Sequence, residues 1–195
     1  MDDFIQENGL SPEGGDPRGL PPSHGHARLL VALFPDREVQ RAISEHRQDW
    51  WWTKNCSFPP AERLHLTLQY LDDQQGGDEW RLRAALAGVP MQPLQLTLDS
   101  SCTWTNDVSV VQPSEHEGLR RLQLDITHAL RRARFPLLVR ERSWAPHITI
   151  ARNSRRAASP RSFEPIRWTA TEFRLVRSHF THPFRHEALA SYPLH

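Results

Sequence analysis

The pattern His-apolar-Thr-apolar occurs twice in this chain, each time inside a short run that is otherwise mostly apolar. The two copies occupy residues 64–68 and 146–150. Successive side chains of a β-strand point to opposite faces, so the His and the Thr of each copy share one face and the apolar residues share the other. The four polar residues are His65, Thr67, His147 and Thr149. Two such strands predict a cleft into which two imidazoles and two hydroxyls face.

A plainer interpretation has to be weighed, since a short pattern often matches by chance. In that interpretation the segments are two half-buried strands whose His and Thr side chains face solvent. A third match, at residues 179–181, is followed by His182 instead of an apolar residue, so it lacks the full pattern. The apolar neighbours of the first two copies favour the cleft.

The residue types in this cleft suit acid–base chemistry on a phosphate ester. Imidazole has an ordinary pKa of about 6.5, so it gives or takes a proton near neutrality. One protonated and one neutral imidazole can act together as general acid and general base. Uncharged Thr hydroxyls can donate hydrogen bonds to non-bridging phosphate oxygens. Such a site requires no metal, and the chemistry that fits best is cleavage of a strained cyclic phosphoester.

Composition excludes several other classes of protein. The formal net charge is +1, which argues against electrostatic wrapping of long nucleic acid. Lys54 is the only lysine, so Arg, which suits bidentate phosphate contacts, supplies the other cations. Cys56 and Cys102 have no metal-binding spacing and form no disulfide framework. No apolar run is long enough to span a membrane, and the N-terminus has no secretory signal pattern. We expect a monomeric cytoplasmic protein without cofactor or metal.

The chain divides into a tail and one domain. Residues 1–26 are rich in Gly and Pro and predict a disordered tail. Residues 27–195 are enough for one domain, or for two small lobes around a shared cleft. Periodicity predicts strands at 29–34, 64–71, 94–98, 108–111, 168–178 and 187–194, helices at 37–49, 79–88 and 115–134, and the second motif strand at 146–150.

Three clusters leave alternatives open. Of Trp50, Trp51 and Trp52, at least one is expected to cap a groove, either by packing or by stacking on a base. The C-terminal histidines do not have the spacing of a metal site. The arginines between positions 131 and 142 suggest a solvated helix end, with RNA backbone contact as the alternative.

With these residues the chain resembles the 2H phosphoesterase superfamily, and within it the bacterial RNA 2′,3′-cyclic phosphodiesterases, also called the 2′-5′ RNA ligase family. The resemblance rests on residues 28–35, 64–71, 144–152 and 187–194 in that order. It implies an α+β fold with two pseudo-symmetric lobes, each an antiparallel sheet with helices on its outer face, around a central cleft. It also implies hydrolysis of a 2′,3′-cyclic phosphate to a 2′-phosphomonoester.

The resemblance also implies roles for residues. His65 and His147 would be catalytic, and Thr67 and Thr149 would bind the phosphate. Arg152 would bind the phosphate as well, and Tyr70 would stack on the base. Tyr70 and Arg152 each follow their motif His by five positions, so strict alternation places them on the face opposite the His. A β-bulge, or the end of the strand, is needed to bring each side chain to the face of the His.

The chain departs from the family pattern at two positions. Asp72 stands where Gly is frequent, and His186 stands where Tyr is frequent. We expect neither to touch the motif residues, so that they affect loop shape and substrate choice.

Three functions remain open at this stage. The first is hydrolysis of 2′,3′-cyclic phosphates on RNA ends or nucleotides, with His147 as base and His65 as acid, or the reverse. The second is a non-catalytic module that binds a nucleotide or RNA end. The third is 2′-5′ ligation of RNA in the same cleft.

Overall fold

A computed structural model describes residues 27–72, 79–138, 144–179 and 185–193. In these residues the strands are β1 (Ala27–Leu33), β2 (Leu66–Asp72), β3 (Leu94–Thr103), β4 (Val108–Pro113), β5 (Ile148–Arg152), β6 (Ile166–Ala170), β7 (Glu172–His179) and β8 (Arg185–Pro193). The helices are α1 (Arg37–Gln48), α2 (Glu79–Ala87) and α3 (Glu117–Arg132). The predicted tail, residues 1–26, lies outside the described residues.

The strands form one antiparallel sheet in the order β6-β3-β4-β5-β2-β1-β7-β8. The sheet curls into a half-barrel with two lobes, which confirms the predicted α+β class. Each lobe is a four-stranded half of this sheet. The halves meet at the centre, where β2 pairs with β5 through Leu66 and Ile148.

The two halves repeat one arrangement. In the first, β1, α1 and β2 follow each other, and in the second β4, α3 and β5 do the same. Each helix crosses to the other half, because α1 packs against β6 and α3 packs against β2. The core between sheet and helices therefore joins both halves.

Strand β1 is buried on both faces, which explains its nearly continuous apolar sequence. Leu29, Val31 and Leu33 belong to the main core. Leu30 and Ala32 form a second, smaller cluster with Val176 of β7. This second cluster marks the face of the sheet turned away from the helices, which we call the cleft face.

Helices α1 and α2 begin at the predicted residues, whereas α3 begins at Glu117, two residues after the predicted start. The Asp36 carboxylate accepts hydrogen bonds from the backbone amides of Glu38 and Val39, both at 2.9 Å, and so caps α1. The α3 helix is capped by His116, whose Nδ1 accepts from the amide of Leu119 at 3.1 Å. Both helices bury one apolar stripe, as their periodicity predicts.

The prediction of a single strand over residues 168–178 is wrong. The chain forms two strands, β6 and β7, separated by Thr171. Strand β6 pairs with β3 in one half, whereas β7 pairs with β1 in the other. Because one residue links strands near opposite ends of the sheet, the sheet has to curl until those ends approach each other.

No helix among the described residues is long and apolar enough to cross a membrane.

The central strand pair is expected to be sensitive to cavities. Leu66 is fully buried, so Leu66→Ala should lower the free energy of unfolding by about 2–5 kcal/mol in a urea titration. Trp80→Ala, at a side chain that is 69 % exposed, is the control and should change it by less than about 0.5 kcal/mol. Equal losses in both variants would contradict this packing.

Candidate functional site

The register of the two central strands brings the motifs together. Leu66 of β2 lies opposite Ile148 of β5, and both point into the core. In an antiparallel pair this places His65 across from Thr149 and Thr67 across from His147, all on the cleft face. The two histidines are diagonal neighbours, a position that in a regular pair is about 7–8 Å apart. Four polar side chains from both halves therefore share one patch of the cleft face.

The two imidazoles are held in the same way. His65 Nδ1 lies 2.7 Å from the carbonyl oxygen of Arg63, and His147 Nδ1 lies 2.8 Å from that of Ala145. A carbonyl oxygen only accepts, so each Nδ1 carries the proton and donates it. A neutral ring that carries its proton on Nδ1 has its basic lone pair on Nε2, and protonation at Nε2 makes the same ring an acid. Each histidine thus presents one defined nitrogen for proton transfer.

A β-bulge follows the first motif. In the pairing of β1 with β2, Ala32 lies opposite Thr67 and Val31 opposite Gln69, so Leu68 is an extra residue. The bulge reverses the alternation and brings Tyr70 to the face of Thr67. Thr67 Oγ1 lies 3.3 Å from the Tyr70 hydroxyl.

A second bulge follows the other motif at the equivalent position. Val110 of β4 lies opposite Thr149 and Ser109 opposite Ala151, which leaves Ile150 as the extra residue. The next pair joins Val108 to Arg152 and lies on the same face as Thr149. The sequence alone required a bulge for both residues to reach the cleft, and the structure contains one in each strand.

Trp144 connects the two motifs. Its indole Nε1–H donates to the backbone carbonyl of Thr67 at 3.0 Å, although 77 residues separate the two in sequence. The indole is buried beside the central strand pair and supplies a hydrogen-bond donor to this carbonyl. The contact fixes the first motif relative to the second.

An aromatic side chain packs beside each histidine. The rings of Trp104 and His147 are 4.5 Å apart in an edge-on arrangement, and the rings of Phe34 and His65 are 5.7 Å apart. The Arg174 guanidinium lies over the Phe34 ring at 5.5 Å. These contacts orient both imidazoles and shield them from bulk water.

The expectation that His186 stays away from the motif residues is wrong. Its ring centroid is 5.4 Å from that of His65 and 6.5 Å from that of Phe34. Burial lowers the pKa of His186 to about 4, with further contributions from the charges of His65 and Arg63. His186 is therefore a neutral imidazole beside His65 at physiological pH. The side chain of Asp72, the other departure, lies outside the described residues.

The Trp cluster and the cysteines that the sequence singled out have the following arrangement. Trp50 and Trp52 stack on each other with centroids 4.7 Å apart, while Trp51 between them is 63 % exposed. Cys56 and Cys102 are free thiols. In the part of the chain that the structure describes, no three His, Cys, Asp or Glu side chains cluster as a metal site would.

Sequence reasoning did not assign several residues of the site. Phe34 ends the first predicted strand and enters the sequence argument only through the resemblance. Trp104 and His186 pack beside the motif histidines and Trp144 donates to the Thr67 carbonyl, in each case through a contact between distant parts of the chain. The sequence offers two signals, which are the position of Trp144 three residues before His147 and the departure from the family pattern at His186.

The burial of His186 predicts a pH dependence of stability. The unfolded imidazole takes up a proton below about pH 6.5, whereas the native ring stays neutral until about pH 4. The free energy of unfolding should therefore fall as the pH drops between these values. His186→Phe should lose less stability between pH 7 and pH 5 than the wild type in urea titrations. His128→Phe, at an exposed position of α3, should keep the wild-type dependence.

That prediction fails if the His186 and His128 variants show the same loss on acidification. His46 of α1 is also buried with a lowered pKa, so part of the pH dependence should remain in the His186 variant.

Comparisons with known proteins agree with this geometry. A family model described as the 2′-5′ RNA ligase superfamily matches residues 35–182, and no curated protein matches the chain. A crystal structure of a phosphoesterase has a TM-score of 0.75 at 25% identity, covering 87% of this chain and 99% of its own. E. coli LigT complexed with NADP+ has a TM-score of 0.73 at 24% identity, covering 86% of this chain and 97% of its own.

The protein TT0787 of Thermus thermophilus is similar as well, with a TM-score of 0.66, 26% identity, and coverage of 86% of this chain and 97% of its own. The family model spans more than half of the sequence and includes both motifs. The chain belongs to the 2′-5′ RNA ligase superfamily of 2H phosphoesterases.

Proposed function

We propose that this protein hydrolyses 2′,3′-cyclic phosphates of RNA ends or nucleotides to 2′-phosphomonoesters. One observation carries the proposal: the antiparallel register about Leu66 and Ile148 relates the two motifs on one face. It gives each histidine a threonine of the other motif as its neighbour across the strands. A phosphate bound between the strands can then meet an imidazole from each half.

The reaction needs one proton removed and one proton supplied. In the proposed sequence, His147 Nε2 accepts a proton from water, and the water oxygen forms a bond to phosphorus. The bond between phosphorus and O3′ breaks on the opposite side. His65, protonated on Nε2, donates its proton to O3′ as it leaves. The acid and base come from the protein, so the proposal does not require a metal.

Hydrogen-bond donors on the cleft face suit the charge that develops on the phosphate oxygens. We assign phosphate binding to Thr67, Thr149 and Arg152. When a phosphate oxygen accepts the hydroxyl proton of Thr67, Tyr70 can donate its own to Thr67 Oγ1, since the two oxygens are 3.3 Å apart. This contact favours an orienting role for Tyr70 beside the base stacking that the resemblance implies.

The solved structures support a nucleotide as ligand. Crystal structures of E. coli LigT are described as complexes with 3′-AMP, with ATP, with NADP+ and with phosphate. Those descriptions concern that protein, and at 24% identity they show a shared fold. We extend the nucleotide to this chain because both motifs and Arg152 lie on one face of the sheet, the cleft face.

Ligation of RNA is the second candidate, because the superfamily carries that name. Joining two ends is opposed by water, which competes at high concentration unless the ends are held together. Hydrolysis is therefore the simpler reaction for this cleft.

Removal of either imidazole should abolish most of the activity. His65→Ala and His147→Ala should each lower kcat/KM for 2′,3′-cyclic AMP by about 10²–10⁴, measured with EDTA by chromatography of 2′-AMP. Their double variant should lose less than the product of the two effects, because the two groups act in one step. His128→Ala, at an exposed position of α3, is the matched control and should retain wild-type activity.

Each alternative has its own outcome in this assay. Full activity of either single variant would contradict the assignment of acid and base. Substrate that binds but stays unchanged would indicate a non-catalytic module, and joined RNA ends without hydrolysis would indicate a ligase.

A further inference from the structure

Two segments beside the site pair with each other beyond the end of β5. Residues 51–57 run antiparallel to residues 152–158, with bridges between Trp51 and Ala158 and between Ser57 and Arg152. Both bridges have the same register. Ser57 and Arg152 exchange two backbone hydrogen bonds of 2.9 Å, and Trp51 and Ala158 exchange bonds of 3.1 and 3.0 Å. The paired segments thus continue the second motif strand away from the phosphate site.

The pair is held between its two bridges as well. Thr53 Oγ1–H donates to the carbonyl of Arg155 at 3.2 Å, and Cys56 Sγ–H donates to that of Asn153 at 3.7 Å. Asn55, Asn153 and Arg156 adopt positive φ values of 75°, 53° and 64°, which produce tight local turns. The surface is therefore built by specific contacts across the two segments.

Trp51 stands out from its neighbours on this surface. The indole N–H of Trp50 donates to His46 Nε2 at 3.0 Å and that of Trp52 to the carbonyl of Arg47 at 2.8 Å, so both lie against α1. Trp51 between them points away from α1 and is 63 % exposed. Among the described ring contacts none involves Trp51. Its large apolar face is open to a ligand.

The charged side chains of the two paired segments have one sign. Residues 51–58 and 152–158 contain four cationic side chains and no Asp or Glu, although the whole chain has a net charge of only +1. Lys54, Arg155 and Arg156 are exposed and form no ion pair with any residue of the described ranges. Arg152 is half-buried at the edge that adjoins the phosphate site. The arrangement attracts a polyanion that reaches the cleft.

An exposed aromatic ring on two paired segments whose charged side chains are all cationic is typical of a surface for single-stranded nucleic acid. Bases stack on the ring whatever their sequence, and the cations follow the phosphates. The two bridges are six residues apart, a distance of at most about 20 Å along the strand, which accommodates a few nucleotides. The hydroxyl that forms a 2′,3′-cyclic phosphate occurs in RNA, so the polyanion is RNA.

We infer that Trp51, Lys54, Arg155 and Arg156 form a binding surface for the single-stranded RNA that precedes the terminal cyclic phosphate. The substrate would then be an RNA 3′ end in preference to a free nucleotide. The inference rests on the proposed function for the identity of the end group. The binding surface itself can be tested without turnover.

The first experiment compares two substrates, 2′,3′-cyclic AMP and an oligoadenylate of four nucleotides ending in a 2′,3′-cyclic phosphate. Trp51→Ala should lower kcat/KM for the oligonucleotide by about 5- to 150-fold, the effect of losing one stacked base. The decrease in kcat/KM that Trp51→Ala causes for the mononucleotide should be several-fold smaller. Trp51→Phe keeps an aromatic ring and should retain most of the wild-type kcat/KM for the oligonucleotide. Trp80→Ala removes another exposed Trp and should lower kcat/KM for neither substrate. Equal losses on both substrates would overturn the inference.

The second experiment measures binding alone. A fluorescently labelled tetraribonucleotide with an ordinary 3′-phosphate is titrated with the wild type and the Trp51→Ala and Trp80→Ala variants by anisotropy. Of these two Trp variants, Trp51→Ala should weaken binding of the oligonucleotide and Trp80→Ala should not. Replacing Lys54, Arg155 and Arg156 together by Gln should reduce the slope of log K against log salt by about 0.7 per cation that contacts a phosphate.

The two experiments separate the two claims. Binding that depends on Trp51, without hydrolysis of either substrate, would leave the RNA surface in place and refute the proposed function. The surface alone would be refuted if the protein hydrolyses the mononucleotide but binds the oligonucleotide no more tightly than the mononucleotide, with an affinity that does not depend on Trp51. The same result is expected if the basic surface binds an acidic peptide instead of RNA, since Trp51→Ala would then leave oligonucleotide binding unchanged.

Discussion

The single pair of Leu66 and Ile148 at the centre of the sheet determines where every other part of the site can lie. Both side chains are fully buried under the helices, so the residues on either side of them are forced onto the cleft face. A slip of one residue in either strand would turn a histidine into the core and a Leu or Ile into the cleft. Burial of apolar surface thus fixes the geometry of the polar site.

The two β-bulges extend this constraint to the next residues. Leu68 and Ile150 each follow a motif histidine by three positions, and each bulge reverses the alternation of its strand. Without them, Tyr70 and Arg152 would point to the helices. The halves are not equivalent, however, since His186 packs beside His65 whereas Trp104 packs beside His147. For one imidazole to act as the acid and the other as the base, the two rings need different surroundings, and these contacts provide them.

The local patterns of the sequence predicted the strands of the two motifs and the shared face of His and Thr. These features depend on neighbouring residues. The sequence did not predict the division of residues 168–178 into β6 and β7, or the contact between His186 and His65, because both depend on how the sheet curls over long distances. The bulges were required by the positions of Tyr70 and Arg152, but only the pairing with β1 and β4 locates the extra residues.

The central claim is that the imidazoles from both halves contact one phosphate. A crystal structure of the protein with a bound nucleoside 2′-phosphate tests it most directly. We predict phosphate oxygens within about 2.6–3.2 Å of Nε2 of both His65 and His147, with Arg152 at the same group. A phosphate that contacts only one of the two histidines, or that binds outside the cleft face, would contradict the account.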